Sequence, residues 1–199
     1  MNQSTPSNAA PGAPSEALLI RYVHASNQIE QLFDPPYGPG TPEFDDHLDA
    51  ARRVAAGTLS GIFDIHFVLM HRLLDPGAAG LPRTHWVTVG GAIPPGPGPH
   101  LAAHLRRLAR LLAEGRRSGE SVANFAWRAH HEFECLHPFI DGNGRTGRLL
   151  LNVLRRAAGL RWLTVAAGEA RFDYYRLIRD YRRDSFFCAG EGGDWRLCE

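Results

Sequence analysis

One stretch of this 199-residue chain gathers residue types that can do chemistry together: His137-Pro138-Phe139-Ile140-Asp141-Gly142-Asn143-Gly144-Arg145-Thr146-Gly147-Arg148. Gly142 and Gly144 let a backbone approach a ligand and adopt torsions that other residues avoid. Successive N–H groups in such a turn form a concavity for an anion. Apolar residues at helical spacing follow, so the turn opens a helix whose positive dipole end faces the same spot. Arg145 and Arg148 are three apart and share one side of that first turn. Asp141 is the sole carboxylate inside the run, a hard oxygen ligand of the kind Mg²⁺ takes beside phosphate oxygens. His137 can accept a proton near neutral pH. The combination suits a polyphosphate, a divalent cation and one general base.

The elements that must position this run are helices. Before it, Ser121 can cap a helix carrying Val122, Phe125, Ala126, Ala129 and Phe133, broken at His137-Pro138. After it, Leu149, Leu150, Val153, Leu154 and Ala157 make an apolar stripe closed by Gly159. Further helical patterns span 16–33 (capped by Ser15), 44–56, 60–74, a stretch from His100 and one near 172–184. Between Thr84 and Pro95 the character changes: His85-Trp86-Val87-Thr88-Val89 is β-branched and aromatic, then Gly-rich, and reads as a short β-hairpin or flap. Residues 1–14 lack periodicity and read as a disordered tail, and 189–199 as a C-terminal tail. The fold class expected is mostly α, one domain over 15–188 with a small β-hairpin.

Composition narrows the chemistry. Net charge is +1, which gives no general nucleic-acid or membrane affinity, and neither a membrane span nor a signal peptide is apparent, so a cytoplasmic protein is expected. The three cysteines (Cys135, Cys188, Cys198) offer no disulfide framework or zinc motif, and Cys135 reads as a buried thiol. All 22 basic residues are arginine, a bias expected of a GC-rich bacterial genome. Without lysine there is no P-loop, Schiff-base or kinase-type lysine. Phosphate must be held by arginine, backbone N–H groups, a metal or a helix N-terminus.

The run resembles the signature HxFx(D/E)GNGRxxR of the Fic family, with His137, Phe139, Asp141, Gly142, Asn143, Gly144, Arg145 and Arg148 at all its specified positions. The resemblance implies a Fic-type helical domain and a protein adenylyltransferase that moves AMP from ATP to a Ser, Thr or Tyr hydroxyl of a target protein. It implies that His137 deprotonates the hydroxyl, Phe139 anchors the loop and Asp141 holds Mg²⁺. Asn143 with the Gly142 and Gly144 backbone would cradle phosphates, and Arg145 and Arg148 would bind the outer ones. The flap, Thr84, His85, Trp86, Val87, Thr88 and Val89, would clamp the target by strand-like pairing. Doc-type phosphotransferases carry lysine at the position of Gly144, so AMP transfer is the implied reaction. Self-modification is implied as well, and homo-oligomerisation stays open.

A second resemblance lies in the first helix. Ser26-Asn27-Gln28-Ile29-Glu30 is similar to the family's inhibitory motif (S/T)xxxE(G/N), in which the glutamate pairs with the second signature arginine, here Arg148. Ser26 and Glu30 are four apart and share a helix face. Gln31 departs from the pattern, where Gly or Asn is usual.

Other candidates have plainer readings. His130, Glu134 and His137 lack the HExxH arrangement of a zinc site, so His130 and His131 read as packing or surface residues. His66 and His71 do not share a face, and the arginine pairs read as solvated helix faces. Two function classes remain: an AMP transferase, and a regulatory module that uses the pocket only to sense nucleotide.

Overall fold

In the computed structural model, residues 12–185, 187–189 and 195–197 are described. The rest, including most of the expected N-terminal tail and Cys198, lies outside them. Seven helices make up just over half of the described residues: α1 Glu16–Ile29, α2 Pro42–Ala56, α3 Ile62–Met70, α4 Pro99–Glu114, α5 Val122–Leu136, α6 Asn143–Ala157 and α7 Ala170–Ser185. The fold is mostly α, as the periodicity requires.

Ser15 and Ser121 cap as expected, accepting from the N–H groups of Leu18 and Asn124 at 3.3 and 3.1 Å. Among the described residues one ladder forms, pairing β1 Phe187–Ala189 with β2 Trp195–Leu197, so part of the stretch read as a C-terminal tail is paired strand. The hairpin expected at 84–95 reduces to one antiparallel bridge, Val89 with Ala92, at the tip of an otherwise irregular flap. Its glycines and prolines leave too few N–H groups and torsions suited to a longer ladder.

Two apolar clusters meet on α6. One joins Leu19, Tyr22 and Val23 of α1, Phe44, Leu48 and Val54 of α2, Ile65 and Leu69 of α3, and Leu149. The other joins Leu101 and Leu108 of α4, Phe133 and Leu136 of α5, Phe139 and Leu150. Thus α6 is central, and its first turn is fixed from both sides. No helix of the described residues is long and apolar enough to cross a membrane.

α1 stops at Ile29 rather than running to 33. Gln31 has φ 62°, the left-handed region. Its N–H donates to the Gln28 carbonyl and that of Leu32 to the Asn27 carbonyl, both at 3.0 Å. This is a Schellman closure, whose left-handed position asks for glycine or asparagine. Gln31 occupies it, which gives a backbone reason for the Gly or Asn of the inhibitory pattern.

Candidate active site

The turn between α5 and α6 is held by its own side chains. Asn143 receives the Phe139 N–H on Oδ1 and donates from Nδ2 to the Phe139 carbonyl, each at 2.9 Å. Both arms of Asn143 therefore shape the loop. What it and its neighbours turn outward is the N-terminal end of α6, where first-turn N–H groups have no intrahelical partner. Gly142 sits at φ 73°, and a Cβ there would lie 2.6 Å from the Met70 sulfur, so only glycine fits.

Phe139 is fully buried and stacks on His66 with centroids 3.7 Å apart. His66 accepts the Gly80 N–H on Nδ1 at 2.8 Å, which puts its own proton on Nε2, facing the Asp141 carbonyl at 3.0 Å. Burial holds His66 neutral, its pKa lowered to about 4. Sequence reading set His66 aside as structural; here it pins the backbone of Asp141. The Asp141 side chain is exposed, its Oδ1 accepting the Gly142 N–H at 2.6 Å. The described residues hold no cluster of three or more metal-ligating side chains. A single exposed carboxylate at the mouth of an anion-binding turn fits an Mg²⁺ ion shared with phosphate oxygens, which needs few protein ligands.

His137 ends α5 in the left-handed region, φ 47°. Burial first, then the charges of Arg182 and Arg83, lower its pKa to about 4, against the opposing pull of the Glu134 carbonyl. It faces a groove of about 590 Å³ lined by Trp86, Val87, Thr88, Ile93, His137 and Ile140. Three of the expected flap residues thus reach the groove. Thr84 and His85 instead contact each other, Oγ1 to Nδ1 at 3.1 Å, and Val89 closes the bridge.

Arg83, one residue before the expected flap, is 4% exposed and bonds on every side. It donates from Nε to the His137 carbonyl (2.8 Å), from Nη1 to that of His85 (3.0 Å) and from Nη2 to that of Pro95 (2.6 Å). An isolated arginine in a loop gives no sequence signal for such a role.

The two signature arginines differ sharply. Arg145 is 4% exposed, and its Nε and Nη1 have no hydrogen-bond partner among the described residues. A buried, unsatisfied guanidinium at a helix N-terminus is a strong anion ligand. Arg148 is 1% exposed and fully engaged: Nε donates to Ser26 Oγ at 2.8 Å, and Nη2 to the Ser26 carbonyl at 3.0 Å and Glu30 Oε1 at 2.7 Å. Burial disfavours its charge, but Glu30, Tyr174 and Tyr22 outweigh that and raise its pKa. The Glu30 carboxylate also lies over Gly144, where a Cβ would meet its Oε1 at 2.1 Å. Ser26 and Glu30 are therefore brought onto Arg148 and the glycine turn together.

Behind Arg148 lies a polar cluster that the sequence did not announce. Nη1 donates to Tyr174 Oη at 3.5 Å, and His130 Nε2 is 3.0 Å from the same oxygen. His130, read as a packing or surface residue, is fully buried, and burial lowers its pKa to about 3. Cys135 is buried as expected, its thiol pushed up to about 12 by burial.

Comparison with known proteins agrees with this geometry. Residues 57–154 match the model of the Fic/DOC family. A protein adenylyltransferase Fic of Drosophila ananassae is 40% identical over 123 residues, 61% of this chain and 24% of that protein. The chain thus spans about a quarter of the length of the curated relatives it matches. Two solved structures share the fold. A Fic domain containing signaling protein from Bacteroides thetaiotaomicron has TM-score 0.68 and 18% identity, covering 85% of this chain and 74% of that one. Fic-1 from C. elegans has TM-score 0.63 and 24% identity, covering 81% and 54%.

Proposed function

This chain belongs to the Fic/DOC family, and on that premise we propose that it is a protein adenylyltransferase, moving AMP from ATP to a hydroxyl of a target protein. The observation that carries the reading is the buried, unsatisfied Arg145 beside the glycine turn, with the neutral His137 at the edge of the groove. The first is a phosphate site, the second a base ready to take a proton.

In the reaction, a target segment lies in the groove along Trp86 to Thr88 and presents its hydroxyl to His137. The histidine takes the hydroxyl proton while the oxygen attacks the α-phosphorus. The bond to the β-phosphate bridging oxygen breaks, leaving an AMP ester on the protein and free pyrophosphate. Arg145 and the N–H groups of Asn143 and Gly144 hold the phosphates, where developing negative charge is stabilised by preorganised donors. Asp141 would hold Mg²⁺, which supplies neutralisation of phosphate charge. Such a protein works where ATP is plentiful, consistent with the cytosol.

We read Glu30 as an internal inhibitor: an arginine gripped by a carboxylate is not free for a γ-phosphate. That engagement also favours the second reading, a nucleotide-sensing module with little transfer. Incubation with ATP labelled at the α-phosphate separates the two. The transferase leaves covalent label on protein, lost in His137→Ala; a sensing module binds nucleotide and leaves none.

A further inference from the structure

Glu134 comes from the last turn of α5 and is 6% exposed. Its Oε1 presses on α6 so closely that a Cβ on Gly147 would fall 2.1 Å from it, and that oxygen has no hydrogen-bond partner among the described residues. Charged and titratable groups of three other helices interact with it. It interacts electrostatically with Arg148 of α6, Glu30 at the end of α1, and Arg182 and Tyr174 of α7. His130 on its own helix places Nδ1 4.0 Å from Oε1. Arg148 only donates, so Tyr174 Oη accepts from it, and His130 Nε2 lies within hydrogen-bond distance of the same oxygen. No step proposed for catalysis uses this carboxyl, yet it is buried beside the cation that the nucleotide needs.

We propose that Glu134 positions and gates Arg148 through its own protonation. As the neutral acid it leaves the guanidinium charge to the phosphates; as the carboxylate it draws that charge back into the α5–α6 interface. The inference rests on the reading of Arg148 as a phosphate ligand. Burial raises the Glu134 carboxyl to about 8; Arg148 pulls it down, Glu30 pushes it up and Arg182 pulls it down. With Glu30 in place, Glu134 is therefore mostly neutral at pH 7. Removing Glu30 removes a like charge, and the carboxyl becomes more acidic. A bound polyphosphate restores negative charge beside Arg148, so Glu134 takes up a proton from solvent as nucleotide binds.

The test is calorimetric titration of Glu30→Gly with ATP from pH 6 to 8.5, in buffers of different ionisation enthalpy, beside Glu30→Gly/Glu134→Gln. The glutamine keeps the shape and cannot ionise. The difference between the two proteins removes the protons of ATP itself. The Glu30→Gly protein should take up more protons, by at most about one per ATP, and its affinity should fall above neutrality by up to about tenfold per pH unit. The double variant should lose that alkaline fall. Equal proton uptake overturns the proposal. Should the glutamine protein fail to fold, the affinity profile of Glu30→Gly alone decides. An affinity flat between pH 7.5 and 8.5, where ATP has already lost its last proton, overturns it. ATP that binds at no pH overturns the phosphate reading of Arg148 itself, a different failure from ATP bound without a proton difference.

Discussion

The guanidinium of Arg83 donates to the carbonyl of His137 at 2.8 Å. The same side chain ties down His85 and Pro95, and its own N–H donates to the Pro138 carbonyl at 2.8 Å. Both ends of the flap are thereby fastened to the residue assigned as the base. One side chain thus links the base of the groove wall to the proton acceptor.

Arg83→Met keeps the apolar stem and deletes the donors. Three carbonyls, one buried and two partly buried, lose a charged partner, so stability should fall by about 2–4 kcal/mol, read by chemical denaturation. Modification of a protein target should drop about tenfold or more in kcat/KM, with ATP affinity within about twofold. An equal loss of ATP binding would place Arg83 in the nucleotide site instead.

Glu30→Gly should raise self-labelling by about 5–150-fold, the span of a 1–3 kcal/mol coupling. Arg148→Ala should be inactive with or without Glu30, because its loss lies downstream of the latch. Gel autoradiography with α-labelled ATP reads both. A Glu30→Gly protein that folds and labels no faster than the parent would make the pair purely structural.

Gln31→Gly should act in the opposite sense. Glycine relieves the left-handed φ of 62°, a conformation costing other residues about 1–2 kcal/mol. Part of that gain is offset by the greater freedom of glycine in the unfolded chain. A net tightening of about 0.5–1 kcal/mol should raise Tm by a few degrees. Labelling should fall by about two- to fivefold. Faster labelling would show that the Schellman closure does not hold Glu30 on Arg148.

The pH dependence follows from buried groups. His66, His131 and His137 lie near 4, His130 near 3 and His47 well below its usual value, all chiefly through burial. The unfolded chain takes up these protons near 6.5, so stability is present above that pH and lost as pH falls toward 4. Glu134, raised to about 8, works the other way: between about 4.5 and 8 the unfolded chain has lost a proton that the folded one keeps. Stability falls with rising pH there, by up to about 1.4 kcal/mol per unit. Thermal melts should peak just above pH 6.5, and Glu134→Gln should flatten the alkaline side. Because His137 is already neutral, kcat/KM should show no limb near 6.5.

Much of this site was legible in the sequence because it is local. The residues 137–148 are contiguous, and a glycine turn opening a helix fixes their relation by backbone geometry alone. Ser26 and Glu30 were legible through their resemblance to the family's inhibitory motif, with both on one helix face. Arg83, His66, Tyr174 and Glu134 were not, since each acts through a contact between distant elements; His66 meets Asp141 75 positions away. The flap failed as a hairpin for another reason. β-branched side chains favour strand, but pairing needs a partner, and Gly90 to Pro95 offers almost none.

Glu30 is carried by a helix that the domain cannot spare. Leu19, Tyr22 and Val23 of α1 lie in the same core cluster as α2, α3 and Leu149, while Tyr175 holds the last turn of α1 through the Ile29 carbonyl at 2.9 Å. Truncating α1 would therefore yield an unfolded chain, not an open one. If Glu30 restrains the site as proposed, whatever frees Arg148 must act on a turn, Ser26 to Glu30, that is itself anchored by buried Ser26, Asn27 and Ile29. The Glu30 side chain, a third exposed, is a part of that turn open to solvent, while Ile29 beside it lies in the core.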